Sequence, residues 1–206
     1  MEDAFSLMGQ FRRPWLEVDE LKGRFLALSA EAHPDRVHSE GALAKADATT
    51  RYTTLNAAYN TLREPKDRLL LLLELESGVP PSDIQRIPPG TMDLFVDVGQ
   101  TCRDADLFLV EKAAATSPMV KVRLFEKGME WMDRLNDLQR RINAKRDELV
   151  SELKGMNPVW ESAPAAGDPG RSSALPLERL EQVYRVLSYV ARWTDQIQER
   201  VVQLAV

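Results

Sequence analysis

The chain has 206 residues, 44% hydrophobic and 29% charged, with a formal net charge of -5. That length suits one large core or two small ones, and the acidic balance argues against a general nucleic-acid binder, whose footprint is basic. One cysteine, Cys102, excludes an internal disulfide and fits a reducing, cytoplasmic setting. The longest apolar run, 69–73, is far short of the roughly 20 residues a membrane helix needs. Acidic residues at Glu2 and Asp3 stand where a secretory signal would carry base.

A short helix is expected over 3–8. Val18, Leu21, Phe25, Leu28 and Ala32 then alternate steps of three and four, which puts them on one helical face. His33-Pro34-Asp35 follows directly. Leu55, Ala58 or Tyr59, and Leu62 mark a second long helix. Pro65 suits the first turn of the next, where its missing N–H would be unpaired anyway, and Gly78 can stop that helix. Gly78-Val79-Pro80-Pro81 and Pro88-Pro89-Gly90 bracket a linker over 78–90. Beyond it, Leu94, Val98, Ala105 and Leu109 form a weak stripe. Leu124, Trp131, Leu135, Leu138, Ile142, Leu149 and Leu153 form a stronger one, opened by Pro118 and ended at Asn157-Pro158. A Pro-, Gly- and Ala-rich break over 157–176 reads as a mobile loop. Leu180, Val183, Leu187, Val190, Thr194, Ile197, Val201 and Leu204 then keep a three-four rhythm to the end. No alternating strand pattern appears, so the fold class is all-α. Three helices with one apolar face each make a C-terminal bundle over 91–206.

No zinc HExxH, CxxC pair, phosphate loop or GxSxG elbow occurs. An enzyme is therefore not expected, nor a metal or cofactor. His33 and His38 alone are too few for a zinc site. Cys102 reads as a structural thiol, and Trp131 and Trp193 as core. Trp15 and Trp160, each near a proline, read as locks at loop ends.

The tripeptide His33-Pro34-Asp35 has a specific setting. Proline stops the preceding helix and fixes a turn, so an imidazole and a carboxylate sit at the tip of a helical hairpin. The runs Ala32-His33-Pro34-Asp35-Arg36 and Leu55-Asn56-Ala57-Ala58-Tyr59-Asn60-Thr61-Leu62 resemble a J-domain over 1–77. The general J-proteins continue with a Gly/Phe stretch and a zinc-binding CxxC module, and both are missing here. Ala4-Phe5-Ser6-Leu7-Met8-Gly9, Leu62-Arg63-Glu64-Pro65 and the following helical bundle resemble instead the HscB type of iron–sulfur co-chaperone.

That resemblance implies an L-shaped molecule that stimulates ATP hydrolysis by a 70-kilodalton heat-shock-type chaperone. It would deliver an iron–sulfur scaffold protein to that chaperone, without nucleic acid or membrane as partner. It implies chaperone docking through His33, Pro34, Asp35 and Arg36, with Lys22 and Arg24 as cations. Client binding falls to Leu94, Phe95, Asp97, Val98, Cys102 and Asp106. Three departures stand out. Residues 1–77 carry ten Lys/Arg against thirteen Asp/Glu, with Ala32 where an aromatic is common. Gly99 and Cys102 fall at or near expected carboxylate positions. The break at 157–176 is longer than the family pattern. A J-protein for another client, a homodimer through the 180–204 seam, and a helical scaffold with a vestigial J-domain remain open alternatives.

Overall fold

The structure is a computed structural model that describes residues 3–37, 41–81 and 87–205, without the side chains of Arg36 and Val37. His38 and residues 82–86 of the 78–90 linker lie outside the described residues. Those described form α-helices α1 (Ala4–Leu7), α2 (Val18–Glu31), α3 (Ala42–Arg63), α4 (Pro65–Ser77), α5 (Met92–Ala114), α6 (Pro118–Ser162), α7 (Arg171–Ala174) and α8 (Leu177–Ala205). A 3-10 turn, Pro34–Val37, follows α2. No strand occurs among the described residues, and none of their helices is long and apolar enough to cross a membrane.

By its internal contacts the chain divides into two units, Met1–Ser82 with Glu152–Tyr184, and Asp83–Ser151 with Arg185–Val206. A sequence boundary at residue 91 places all of α6 and α8 in one bundle, whereas here each contributes to both units. Length explains this. A helix of 45 residues spans about 68 Å, more than twice the diameter of a small domain, so no single small core can cover its apolar stripe.

In the first unit the local signals act as read. Asp3 caps α1, its carboxylate accepting from the Ser6 N–H at 3.0 Å. Pro65 opens α4, and Gly78, at φ 77°, closes it in the left-handed conformation that glycine adopts without steric cost. Phe5, Met8, Leu16, Leu21, Leu62, Leu69 and Leu72 are all buried. Phe25 stacks on Tyr59 with centroids 4.3 Å apart, joining α2 to α3. Val18, by contrast, stays 46% exposed at the start of its stripe.

Three buried polar arrangements were not visible in the periodicity. Arg68 is 1% exposed. Its Nε donates to the Pro14 carbonyl at 2.8 Å and its Nη1 to the Leu62 carbonyl at 2.7 Å. The guanidinium also lies over the Trp15 ring. Burial pushes its pKa down to about 10, opposed by the nearby Glu64 carboxylate, so it stays a cation at neutral pH. Asn157 takes both backbone groups of Trp15, accepting from its N–H at 2.9 Å and donating to its carbonyl at 3.0 Å. Arg171 meets Glu76 through two bonds of 2.7 and 2.8 Å, with side chains only 9% and 2% exposed.

The expected helix end at Asn157-Pro158 is corrected, because α6 runs on to Ser162 with Pro158 inside it. Proline inside a helix costs about 3 kcal/mol through its lost hydrogen bond and steric clash. Burial of Met156 and Trp160 on either side, and the Asn157 clamp, offset that cost. Trp160 is thus a core residue of a helix and no loop-end lock. The expected loop at 157–176 accordingly starts as helix and later holds α7, with Arg171 and Leu175 buried. Asn157→Ala is expected to cost about 2 kcal/mol, because two backbone groups lose their partners. Urea unfolding of wild type and variant measures it.

The second unit packs α5, the first part of α6 and the end of α8. Leu124, Leu135, Leu138, Ile142 and Leu149 of α6, Val190, Trp193, Ile197 and Leu204 of α8, and Val98, Ala105 and Phe108 of α5 are all buried. Pairs Asp97–Arg141 at 2.7 Å and Glu111–Lys127 at 3.3 Å fix α5 and α6 antiparallel. Trp131 is only half-buried and stacks near Phe108, with centroids 6.3 Å apart. Gln139 donates to Thr194 across the α6–α8 seam at 3.2 Å, a polar step that pins its register.

Candidate functional site

The hairpin tip is built as its sequence dictates. Helix α2 ends at Glu31, and Pro34 opens the 3-10 turn that carries Asp35 outward. The His33 side chain is 44% exposed and that of Asp35 82%. The Asp35 backbone N–H donates to His33 Nδ1 at 3.3 Å. The Asp35 carboxylate lies 3.5 Å from the same nitrogen. Tyr52 of α3 meets the imidazole edge-on, with centroids 5.5 Å apart, and holds it in place. A carboxylate and an imidazole thus share one exposed turn.

The expected cations do not gather there as a set. Lys22 and Arg24 are both exposed, but two residues on a helix point about 200° apart. The steps 22, 26, 29, 33 align Lys22 with the tip. Arg24 lies on the other flank, where its guanidinium covers Gly9: a Cβ placed there would fall 2.5 Å from Nη2. Arg36 follows the tip in sequence, with its side chain outside the described residues. On the open face of α2, Lys22 is accompanied by Leu26, 56% exposed, and the exposed Ala27. Ala32 lines a groove of about 500 Å³ with Leu7, Leu28 and Leu55, space that a larger side chain at this position would reduce.

In the second unit the six client candidates separate. Val98 is 1% and Cys102 6% exposed, so both pack inward; Cys102 is thereby removed from a client face, while Val98 still lines the α5–α8 groove described below. Helix α5 has two apolar stripes, and the sequence reading mixed them, taking Leu94 and Val98 from the inward side and Phe95 from the exposed one. Burial pushes the Cys102 thiol up from its ordinary pKa, Asp106 adding to the shift and Arg200 opposing it. Cys102 is expected to react with an aromatic disulfide reagent only as the protein unfolds. Fast labelling of the native protein would contradict its burial. Asp97 is paired with Arg141, and Asp106 with Arg200, each at 2.7 Å. Leu94 is half-buried, and Phe95 is 39% exposed.

The outward stripe was missed. Met92, Val96, Leu107 and Val110 are 54%, 55%, 70% and 70% exposed, a large apolar share for a helix face in water. With Gly99 and Arg103 between them they keep the three-four rhythm, and that was the available signal. Beside this stripe, α5 and α8 enclose a groove of about 320 Å³ lined by Phe95, Val96, Gly99, Tyr189, Trp193 and two arginines, Arg103 and Arg192. Among the described residues, no cluster of His, Cys, Asp and Glu could hold a metal ion.

An exposed His-Pro-Asp tip on a helical hairpin, followed by longer helices, makes an all-α chain of two helical units. Its likeness is to proteins named co-chaperone HscB, in sequence and in fold. The chain is 37% identical over 78 residues to a co-chaperone HscB homolog of Chromobacterium violaceum, covering 38% of this chain and 44% of that one. It is 26% identical over 132 residues to the co-chaperone HscB of Proteus mirabilis, covering 60% of this chain and 76% of that one. The chain thus spans less than half the length of the Chromobacterium relative. In fold, the crystal structure of human co-chaperone HscB matches with a TM-score of 0.61 at 18% identity, over 96% of this chain and 81% of that one. No family model matches the chain.

Proposed function

We propose that the chain is a J-domain co-chaperone, in which residues 1–77 engage a 70-kilodalton heat-shock-type chaperone and residues 91–206 hold an iron–sulfur scaffold protein. The observation that carries this is the exposed His33-Pro34-Asp35 turn, braced by Tyr52 and free of any packing role for the Asp35 carboxylate. Relatives named as HscB co-chaperones support it.

The function follows by differential binding. The tip presents a carboxylate and an imidazole to the chaperone, with Lys22 in line on α2 to orient an acidic surface. The open apolar stripe and groove of α5 and α8 take the client. With both contacts on one chain, the client reaches the chaperone at a raised effective concentration. The chaperone state that hydrolyses ATP and closes on the client is thereby favoured, and neither His33 nor Asp35 performs chemistry.

A pull-down with the whole chain and with Asp35→Asn, read by mass spectrometry, tests both halves. Expected are a scaffold protein captured by both forms and a chaperone captured by wild type alone. Chaperone retained by the variant, or no scaffold with either form, refutes the corresponding half.

A further inference from the structure

The groove between α5 and α8 has a charge pattern that its apolar lining alone does not require. Its floor is Gly99, whose missing side chain opens the space: a Cβ there would meet only Arg103 Nη1, at 3.5 Å. Its walls are Phe95, Tyr189 and Trp193, with Tyr189 and Trp193 centroids 5.6 Å apart. Arg192 lies over the Tyr189 ring at 5.5 Å. Arg103 bonds to Gln100 through Nη2 at 2.9 Å. No carboxylate lines the groove, and neither guanidinium has an ion-pair partner among the described residues. Three acids of α5 are turned to other work: Asp97 holds Arg141, Asp104 accepts from Gln100, and Asp106 holds Arg200. Two cations held against aromatic and aliphatic surface form a preorganised receptor for carboxylates that flank an apolar side chain.

We propose that this groove receives an acidic peptide segment, whose carboxylates pair with Arg103 and Arg192 while an apolar side chain enters the space over Gly99. The proposal rests on the client-binding reading above and specifies its chemistry: the scaffold would present an acidic, not a basic, segment. Charge complementarity selects that occupant. A basic segment would meet two uncompensated guanidiniums, and like-charge contact of that kind opposes binding.

The test uses the full chain with two probes, the host iron–sulfur scaffold protein and a capped peptide of alternating Glu and Leu with one central Phe. A counterpart with Lys for each Glu is the control. Calorimetry and tryptophan fluorescence read binding at low and high salt. The scaffold and the Glu peptide are expected to bind and the Lys peptide not. The double variant Arg103→Glu/Arg192→Glu should weaken both by about tenfold or more and remove the salt dependence. Gly99→Leu should block the groove without altering charge, and unchanged unfolding midpoints exclude misfolding. Binding of the scaffold that ignores both variants overturns the acidic-segment proposal and leaves the client reading intact. Arginine-dependent binding of the Glu peptide without scaffold binding upholds the groove and removes the scaffold as its client. Binding of neither probe overturns both. A dimer that charge reversal dissolves would put a second copy in the groove and also overturn the proposal.

Discussion

Asp35→Asn is expected to reduce the stimulation of a partner chaperone's ATP hydrolysis to background, with helix content and unfolding midpoint unchanged. The side chain is 82% exposed, and among the described residues it is His33 Nδ1, at 3.5 Å, that faces it. The bond that shapes the turn comes from the Asp35 backbone N–H, which asparagine keeps. Substitution at such a site changes stability by no more than about 0.5 kcal/mol. What changes is a full negative charge at the tip. A charge-assisted contact to a partner is roughly twice as strong as a neutral one, and its loss from a small interface weighs heavily. A single-turnover assay with the host chaperone reads the effect. Stimulation equal to wild type would remove the tripeptide from the function.

Arg171→Ala is expected to cost about 3–5 kcal/mol of stability. It strands the Glu76 carboxylate, 2% exposed, without its bidentate partner. The pairing lifts the Arg171 pKa further above its ordinary value, chiefly through the hydrogen bonds to Glu76 and against the effect of burial. Replacing both members, Glu76→Leu with Arg171→Met, should recover most of the loss, since an apolar pair of similar volume avoids desolvating two ions. Urea unfolding of the two single variants and the double variant closes the cycle. A cost under about 1 kcal/mol for Arg171→Ala would rank the pair with solvent-screened surface bridges.

These two sites were unequally legible. The His33-Pro34-Asp35 turn is local: a proline, a helix stop and a hairpin are written in consecutive residues. The proline at position 65 and the glycine at 78 likewise act within one turn of where they stand. Arg171 and Glu76 are separated by 95 residues and carry no periodic signal, so only the folded chain brings them together. Pro158 shows the opposite error. Its local meaning is a helix end, and packing of Trp160 overrides it. On α5 the period of 3.6 was read correctly, but two stripes share that period. Which one faces inward is decided by α6 and α8. Lys22 and Arg24 illustrate a further limit, since closeness in sequence put them on opposite flanks of one helix.

The burial of Cys102 has a practical consequence. With a single thiol, enclosed between helices and protonated at neutral pH, a cysteine introduced elsewhere would be the sole site open to a maleimide dye. Ala27, on the open face of α2 near the tip, and Asp93, on the first turn of α5, are both exposed. A fluorophore attached at either position would report engagement of one partner in real time while the other is titrated in, and the native background would need no engineering away.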